Sequence, residues 1–457
     1  MPERGTPEPR RAPARRGPAD PARLVAYELL RAVAEQDAYA NLVLPTLLAA
    51  RHLSGRDAGL ATELGYGTLR AVGTLDDILG RCVDRPLDGV DPAVLDLLRL
   101  GAYQVLRTRV PPHAAVATTV ELAHRTGHGR AAGFVNAVLR RVTGHSWDAW
   151  VTELTAAASP LPALAVRTAH PEWIAAAFAD ALGEDPAGGL AETERALVAD
   201  GERPRTHLVA WPGRSTVEEL LAATTGEPGL YSPYAVRLDG GDPAAVAAIR
   251  ERRAGVQDEG SQLCALALAG APLTGRDERW LDLCAGPGGK AALLAAVAAE
   301  RGATLTANER RPHRAELVRR VTEPWSVEVL VGDGREVAPV DGGYDRVLVD
   351  APCTGLGALR RRPEARWRRR PDDLAELTDL QRDLLAAALR LVRPGGVVAY
   401  VTCSPHPAET HDVVAGHDLI DARPLFAGVP DLGAGPTVQL WPHRHGTDAM
   451  FCALIRG

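Results

Sequence analysis

The sequence predicts an α/β protein with an all-helical N-terminal domain, a small connecting α+β segment and a Rossmann-like C-terminal domain. Three observations support this. Apolar residues in the first third recur at spacings of three and four, the period of an amphipathic helix. From residue 257 onward, strand-like apolar runs alternate with helical stretches, as in repeated βα units. The first of these runs leads through a glycine-rich turn into a helix.

The helical domain is predicted over residues 21–145, with five to seven helices. Within it, Asp91-Pro92 indicates a helix start, because Asp caps free N–H groups and Pro fits the first turn. The preceding residues 1–20 contain five arginines and repeated prolines without an apolar stretch. They are predicted to be a disordered basic tail.

Residues 146–255 give mixed signals and are predicted to be the connecting α+β segment. PEWIAAAFADALG and PAGGLAETERALVAD have helical spacing, whereas RTHLVAW and AVRLDG alternate like short strands. Residues 256–457 form the C-terminal domain, with predicted strands WLDLCA, TLTANE, VEVLVGD, RVLVDA and VVAYVTC. Such a doubly wound, mostly parallel sheet binds ligands outside the carboxyl ends of its strands.

Composition excludes several classes of protein. The net charge of -6 gives no global basic field, so any nucleic-acid contact must come from local patches. The six cysteines are scattered, which matches neither a disulfide framework nor a zinc site and suits a reducing cytoplasm. No apolar run approaches the length of a membrane span. We therefore expect a cytoplasmic protein without a metal, and we expect a monomer.

The glycine turn after the first strand is the first candidate ligand site. It runs from Cys284 through Ala285-Gly286-Pro287-Gly288-Gly289 to Lys290, the only lysine of the chain. Glycines let the backbone approach a ligand closely, but the spacing is that of neither GxGxxG nor a P-loop, which disfavours phosphate binding.

Acidic residues end the next two predicted strands. Glu309 ends the second, where a carboxylate commonly binds ribose hydroxyls, and Asp333 follows the third, where it could meet an adenine edge. Either acid alone is as often a helix cap or a turn residue. Their placement after successive strands favours adenosine recognition.

Two cysteines and an acid follow the fourth and fifth predicted strands. Asp350 and Cys353 come after the fourth and Cys403 after the fifth, so all three share one pocket if the strands are neighbours. An isolated cysteine is usually a small buried hydrophobe, and that interpretation is kept for Cys82, Cys264 and Cys452.

Two thiols and an acid suit alkylation of a pyrimidine carbon. A thiolate that adds at C6 of cytosine, with a carboxylic acid at N3, makes C5 nucleophilic. A second thiol could assist the later release of the first.

A block of seven arginines, GALRRRPEARWRRR, follows directly after Cys353. Charge blocks are usually solvated faces, but arginines that flank an aromatic residue also suit phosphate contact and base stacking. We predict RNA contact through Arg360, Arg361, Arg362, Arg366 and Trp367.

The motifs VQDEGSQL, LDLCAGPGGK, DAPCTGLGALRRRPE, VTCSPHPAE and WPHRHGTDAMFCALI together resemble the RNA cytosine-5 methyltransferases of the Nol1/Nop2/Sun family. LLRLGAYQVL and GFVNAVLRRV resemble the antitermination factor NusB, a domain found in the bacterial 16S rRNA (Sun/Fmu) branch. The Asn308-Glu309 pair leaves open which of the two faces the ribose, and residues 146–255 match only loosely.

The resemblance implies a class I methyltransferase fold and S-adenosylmethionine as cofactor. It also implies that Cys403 is the nucleophile and that Cys353 aids product release. Cofactor contacts would fall on Cys284, Ala285, Gly286, Pro287, Gly288, Gly289, Lys290, Glu309, Asp333 and Asp350. The implied partner is 16S rRNA or a small-subunit assembly intermediate. Two alternatives stay open, namely a tRNA cytosine-5 methyltransferase and a non-catalytic RNA-binding or antitermination factor.

Overall fold

The computed structural model describes residues 20–36 and 38–457. The chain divides into two compact units, one that ends at Trp150 and one that spans Val151–Gly457. The predicted basic tail lies outside the described residues except for Asp20. The predicted limits at 21–145, 146–255 and 256–457 stay predictions.

The first unit is helical, as predicted. Its described residues form α1 (Pro21–Gln36), α2 (Ala40–Ala50), α3 (Gly55–Cys82), α4 (Pro92–Arg107), α5 (Pro112–Arg125) and α6 (Ala132–Val142), and α7 (Trp147–Leu154) crosses the division. The predicted helix start is present, because the Asp91 carboxylate accepts hydrogen bonds from the amides of Ala93 and Val94. The buried side of this unit is mainly Leu, Val and Ala.

The second unit begins with helices and a small antiparallel sheet. The elements are α8 (Pro160–Thr168), α9 (Glu172–Leu182), α10 (Ala191–Gly201), β1 (His207–Ala210), α11 (Val217–Ala223), β2 (Gly226–Pro228), β3 (Ala235–Leu238), α12 (Ala247–Arg250) and β4 (Ala254–Val256). Their sheet order is β2-β3-β1-β4. RTHLVAW and AVRLDG supply β1 and β3, which pair with Leu208 opposite Val236.

The larger sheet follows. Its strands and helices are α13 (Glu259–Gly270), β5 (Arg279–Asp282), α14 (Gly289–Glu300), β6 (Thr304–Glu309), α15 (Pro312–Thr322), β7 (Glu328–Val331), β8 (Tyr344–Asp350), α16 (Ala365–Arg368), α17 (Asp373–Leu391), β9 (Val392–Thr402), α18 (His411–Val414), β10 (Leu419–Ile420), β11 (Val438–Gln439), α19 (Pro442–His445) and β12 (Phe451–Arg456). The order is β10-β12-β9-β8-β5-β6-β7, and β11 pairs with β12. The strands β5 to β9 are parallel, as predicted.

The fifth parallel strand, β9, is buried on both faces. Val397, Ala399 and Val401 pack in one core cluster, whereas Val398 and Tyr400 pack in the other. This alternation is the period-two pattern of a strand with helices on both sides of its sheet. The fold therefore holds the ends of β8 and β9 firmly side by side.

The antiparallel edge was not predicted as secondary structure. β12 pairs with β9, with Phe451 opposite Thr402, and it covers the flank of the strand that leads to Cys403. The run FCALI lacks the following helix that marked the parallel strands, so the sequence pattern identified it only as part of a motif.

Candidate active site

The glycine turn lies between β5 and α14, at the carboxyl end of the sheet. Gly288 has a φ of 113°, which L side chains rarely adopt. A Cβ at Gly286 would overlap Glu309 Oε2, so the turn and the end of β6 are in close contact. Two glycines of the predicted motif are therefore required by geometry.

Four carboxylates surround this turn. Asp282, Glu309 and Asp350 end β5, β6 and β8, and Asp333 follows β7. Burial raises the pKa of the Cys284 thiol well above its usual range, and the charges of these four carboxylates raise it further. The acids predicted at successive strand ends therefore lie together around the glycine turn.

Asp282 belongs to this cluster, but sequence analysis did not single it out. It is fully buried, and burial together with the charge of Asp350 raises its pKa to about 8. Its Oδ2 has no hydrogen-bond partner among the described residues. The signal was available, because Asp282 ends its strand as Glu309 does.

Glu309, not Asn308, faces the turn. The Asn308 side-chain amide donates to the carbonyls of Leu283 (3.0 Å) and Gly332 (3.1 Å), so this residue ties neighbouring segments together. Glu309 Oε1 accepts from the Arg311 amide at 2.8 Å. The close approach of Glu309 Oε2 to Gly286 gives this carboxylate the position expected of the second-strand acid.

Asp333 is engaged by a neighbouring arginine. The Arg335 guanidinium donates to both carboxylate oxygens, at 3.0 and 2.8 Å. This interaction lowers the pKa of Asp333 to about 2. Asp333 is therefore a fixed anion at the edge of the cluster.

Lys290, the first residue after Gly289 in α14, forms an ion pair within the site. Its Nζ lies 2.9 Å from Asp350 Oδ2, and the lysine is only 8% exposed. Burial disfavours the ammonium, but the charge and hydrogen bond of Asp350, together with interactions with Cys264 and Cys403, outweigh burial and raise the pKa of Lys290. The pair places a fixed positive charge beside the fourth strand end.

The two sulfur atoms lie side by side. Cys353 Sγ is 3.5 Å from Cys403 Sγ, because β8 and β9 are adjacent and parallel, with Asp350 opposite Val401. The prediction that the fourth and fifth strands are neighbours is confirmed. Both cysteines are partly exposed, whereas Cys82, Cys264 and Cys452 are buried as expected.

The two thiols differ in their acidity. A hydrogen bond from Cys353 lowers the pKa of Cys403 although burial opposes it, and the charges of Arg362 and Lys290 act in the same direction. The same hydrogen bond and burial raise the pKa of Cys353 well above its usual range. The thiolate form is therefore favoured more at Cys403 than at Cys353.

Part of the arginine block is internal. Arg360 and Arg361 bind Asp448 and Asp258, with Arg360 Nε 2.7 Å from Asp448 Oδ1 and Arg361 Nη2 2.7 Å from Asp258 Oδ2. Both acids are almost fully buried. These arginines fix the loop after Cys353 against the start of α13 and the segment before β12. Arg360 is buried, which corrects its prediction as an RNA contact, whereas Arg361 is partly exposed and its RNA contact stays a prediction.

Arg366 requires the same correction as Arg360. It is 1% exposed, and its Nη2 lies 3.0 Å from Asp200 Oδ2. Arg362 is exposed and Trp367 is partly exposed, so both remain at the surface.

The doubly wound sheet, the glycine turn after its first strand and the acidic strand ends define a class I methyltransferase that uses S-adenosylmethionine. A family model described as "16S rRNA methyltransferase RsmB/F" matches residues 271–456, and one described as "NusB family" matches residues 20–144. The chain belongs to the RsmB/F methyltransferase family, in the form that carries a NusB domain.

Relatives match over nearly the whole chain. "Putative methyltransferase Rv1407" of Mycobacterium tuberculosis is 57% identical over 98% of this chain and 99% of that protein. "Probable ribosomal RNA small subunit methyltransferase B" of Bacillus subtilis is 32% identical over 94% of this chain and 98% of that protein. The crystal structure of PH0851 has a TM-score of 0.78 at 22% identity and covers 97% of this chain and 99% of that chain, which supports the fold.

The residues present fit S-adenosylmethionine. This cofactor carries a sulfonium and an α-ammonium, and the site offers four carboxylates, among them the buried and unpartnered Asp282 Oδ2. Glu309 at the end of β6 has the position of a ribose-binding acid. Within residues 20–36 and 38–457, no group of three His, Cys, Asp or Glu side chains is arranged to hold a metal ion. No helix in that part of the chain has the length and apolarity needed to span a membrane.

Proposed function

We propose that this protein methylates C5 of a cytosine in 16S rRNA, with Cys403 as nucleophile. The observation that carries the proposal is the pair of sulfur atoms 3.5 Å apart beside the acidic cofactor pocket. A methyltransferase that acts on an oxygen or an exocyclic nitrogen has no need of two adjacent thiols. Activation of a pyrimidine carbon by covalent addition does need a thiolate.

The charges of the site suit each step. As the sulfur of Cys403 forms a bond to C6, negative charge develops at N3. Asp350 takes up a proton when the substrate binds and, as a carboxylic acid, donates a hydrogen bond at N3. Lys290, 2.9 Å from Asp350, supports that charge. When bound, S-adenosylmethionine would supply an electrophilic methyl group. The C5 carbon takes this methyl group as the bond between methyl and sulfonium breaks, with S-adenosylhomocysteine as the leaving group.

Release reverses the addition. The C5 proton passes to a water molecule, its electron pair restores the ring double bond, and the bond between C6 and sulfur breaks. Sulfur departs as a thiolate, which accepts the hydrogen bond of the Cys353 thiol 3.5 Å away. In this role Cys353 lowers the barrier to product release and leaves Cys403 ready for the next cycle.

The relatives support the proposed substrate class. The Bacillus subtilis relative and a Salmonella typhi relative, 33% identical over 95% of this chain, are named as small-subunit rRNA methyltransferases. We extend that substrate to this chain, as free 16S rRNA or as an assembly intermediate. Arg361, Arg362 and Trp367 are the predicted residues of the arginine block that we propose as RNA contacts, because all three are at least partly exposed.

The test is transfer of a labelled methyl group from S-adenosylmethionine to 16S rRNA, with bisulfite sequencing to locate the product. We expect Cys403→Ala to abolish transfer and Cys353→Ala to accumulate a covalent protein–RNA adduct visible on a denaturing gel. Cys82→Ala, a buried cysteine of the helical unit, is the matched control and should transfer methyl groups like the wild type. Full activity of Cys403→Ala would refute the assignment of the nucleophile.

The tRNA alternative makes a different prediction. RNA from a deletion strain should lose a 5-methylcytosine from 16S rRNA and retain those of its tRNAs. Loss from a tRNA instead would move the proposal to that substrate without changing the chemistry.

A further inference from the structure

A buried carboxylate lies beneath the two thiols. Thr354 follows Cys353 and Ser404 follows Cys403 in the chain. The Thr354 amide donates to Glu409 Oε1 at 2.7 Å, and the Thr354 hydroxyl donates to Glu409 Oε2. The hydroxyl oxygens of Thr354 and Ser404 are 3.3 Å apart. A single network therefore joins the two segments that carry the cysteines.

The rest of the network anchors this carboxylate to the fold. Gln381 of α17 donates through Nε2 to Glu409 Oε1 at 3.1 Å and to the Pro352 carbonyl at 2.9 Å. The Tyr400 hydroxyl of β9 donates to the Glu409 carbonyl at 2.8 Å. Glu409, Gln381 and Tyr400 are fully buried. The carboxylate thus has little freedom to move. The same network holds Pro352 and Thr354, which lie on either side of Cys353.

Glu409 also acts on Cys353 through its charge. The pKa of Cys353 is raised first by the hydrogen bond to Cys403 and by burial, and the negative charges of Cys403 and Glu409 add to this. The Glu409 carboxylate is buried, and its hydrogen-bond donors, Thr354 and Gln381, are neutral. Because little solvent screens such a charge, its electrostatic effect extends to Cys353. The thiol form of Cys353 is the form that donates to Cys403.

The geometry points to Glu409 as a positioning residue for the thiol pair. Through its hydrogen bonds to the Thr354 amide and hydroxyl it fixes Cys353 against Cys403. It touches neither RNA nor cofactor in this role. The inference rests on the proposed roles of the two cysteines and extends them to Glu409, the last residue of the motif VTCSPHPAE, to which the sequence assigned no role.

The experiment measures the alkylation of each cysteine by iodoacetamide as a function of pH, with the full chain and mass spectrometry of the two peptides. In the wild type we expect Cys403 to react at lower pH than Cys353. Glu409→Gln keeps the size but removes the charge, and we expect the midpoint for Cys353 to fall. Asp412→Asn, an exposed acid in the same segment, is the matched control and should leave both midpoints unchanged.

Circular dichroism would show whether Glu409→Gln is folded. A second pair of variants, at Thr354, tests the inference even if it is not. Thr354→Val removes the hydroxyl and Thr354→Ser retains it. We expect kcat for methyl transfer to fall about tenfold in Thr354→Val, with KM for S-adenosylmethionine unchanged, and to remain near wild type in Thr354→Ser.

An unchanged Cys353 midpoint in folded Glu409→Gln would overturn the inference, and so would equal kcat values for Thr354→Val and Thr354→Ser. Alkylation requires no RNA. Failure of the wild type to methylate cytosine would therefore refute the proposed function while the acidity of the two thiols remained measurable.

Discussion

The burial of Arg366 predicts that its loss destabilises the protein and does not weaken RNA contact. Arg366 Nη1 donates to the Ala169 carbonyl at 3.0 Å, and Nη2 donates to Asp200 Oδ2 at 3.0 Å. Asp200 is fully buried, and its other side-chain partner is His170, at 3.3 Å. Arg366→Met would thus leave the buried Asp200 carboxylate without the guanidinium that neutralises its charge.

The expected cost is large. Removal of one partner of a buried ion pair costs about 3–5 kcal/mol. For a unit of this size, that loss lowers Tm by an amount on the order of 10 °C. Differential scanning calorimetry and urea titration would measure it. RNA binding by the folded fraction of Arg366→Met should keep its dependence on salt, because the guanidinium contacts no phosphate.

Arg362→Met is the matched control, since Arg362 lies in the same block but is exposed. We expect its stability to stay within about 0.5 kcal/mol of the wild type. The slope of log RNA affinity against log salt concentration should become less steep by about 1, which is the contribution of one phosphate contact. The interpretation would be refuted if Arg366→Met kept wild-type stability and lost the salt slope instead.

Two further predictions concern pH and the glycine turn. Burial, with the charge of Arg366, lowers the pKa of His170 from 6.5 to about 4, so the unfolded chain binds more protons between these values. Stability should therefore decrease by about 3 kcal/mol as pH falls from 6.5 to 4, and urea titrations should show a smaller decrease for His170→Asn. Gly286→Ala places a methyl group against Glu309 and should weaken S-adenosylmethionine binding in calorimetry by about tenfold or more. Gly435→Ala, where the space is open, should bind as the wild type does, and equal affinity of both variants would contradict the close approach.

The sequence predicted the parts of the site that depend on local pattern. Cys353 and Cys403 each follow an apolar run, and parallel strands bring such positions to one edge of a sheet. Their separation of 3.5 Å needed only that β8 and β9 be neighbours, which the topology provides. The glycine turn was equally visible, because its conformation requires glycine at particular positions.

The predictions that the structure corrects concern residues whose partners are distant in sequence. A run of arginines looks like a solvated or RNA-facing surface until the buried acids that bind it are known. Those acids, Asp448 and Asp200, lie 88 residues from Arg360 and 166 residues from Arg366 in the chain. The position of Asp282 at a strand end was readable from the sequence, but its raised pKa was not, since that shift arises from burial and from the charge of Asp350, on another strand.

The solitary lysine has a practical consequence. Apart from the α-amino group, Lys290 is the sole primary amine of the chain. A single amine-directed label on its side chain would therefore report on the cofactor pocket and nowhere else in the folded protein. Since Lys290 is 8% exposed and paired with Asp350, the rate of that labelling offers a readout of pocket opening that needs no engineered tag.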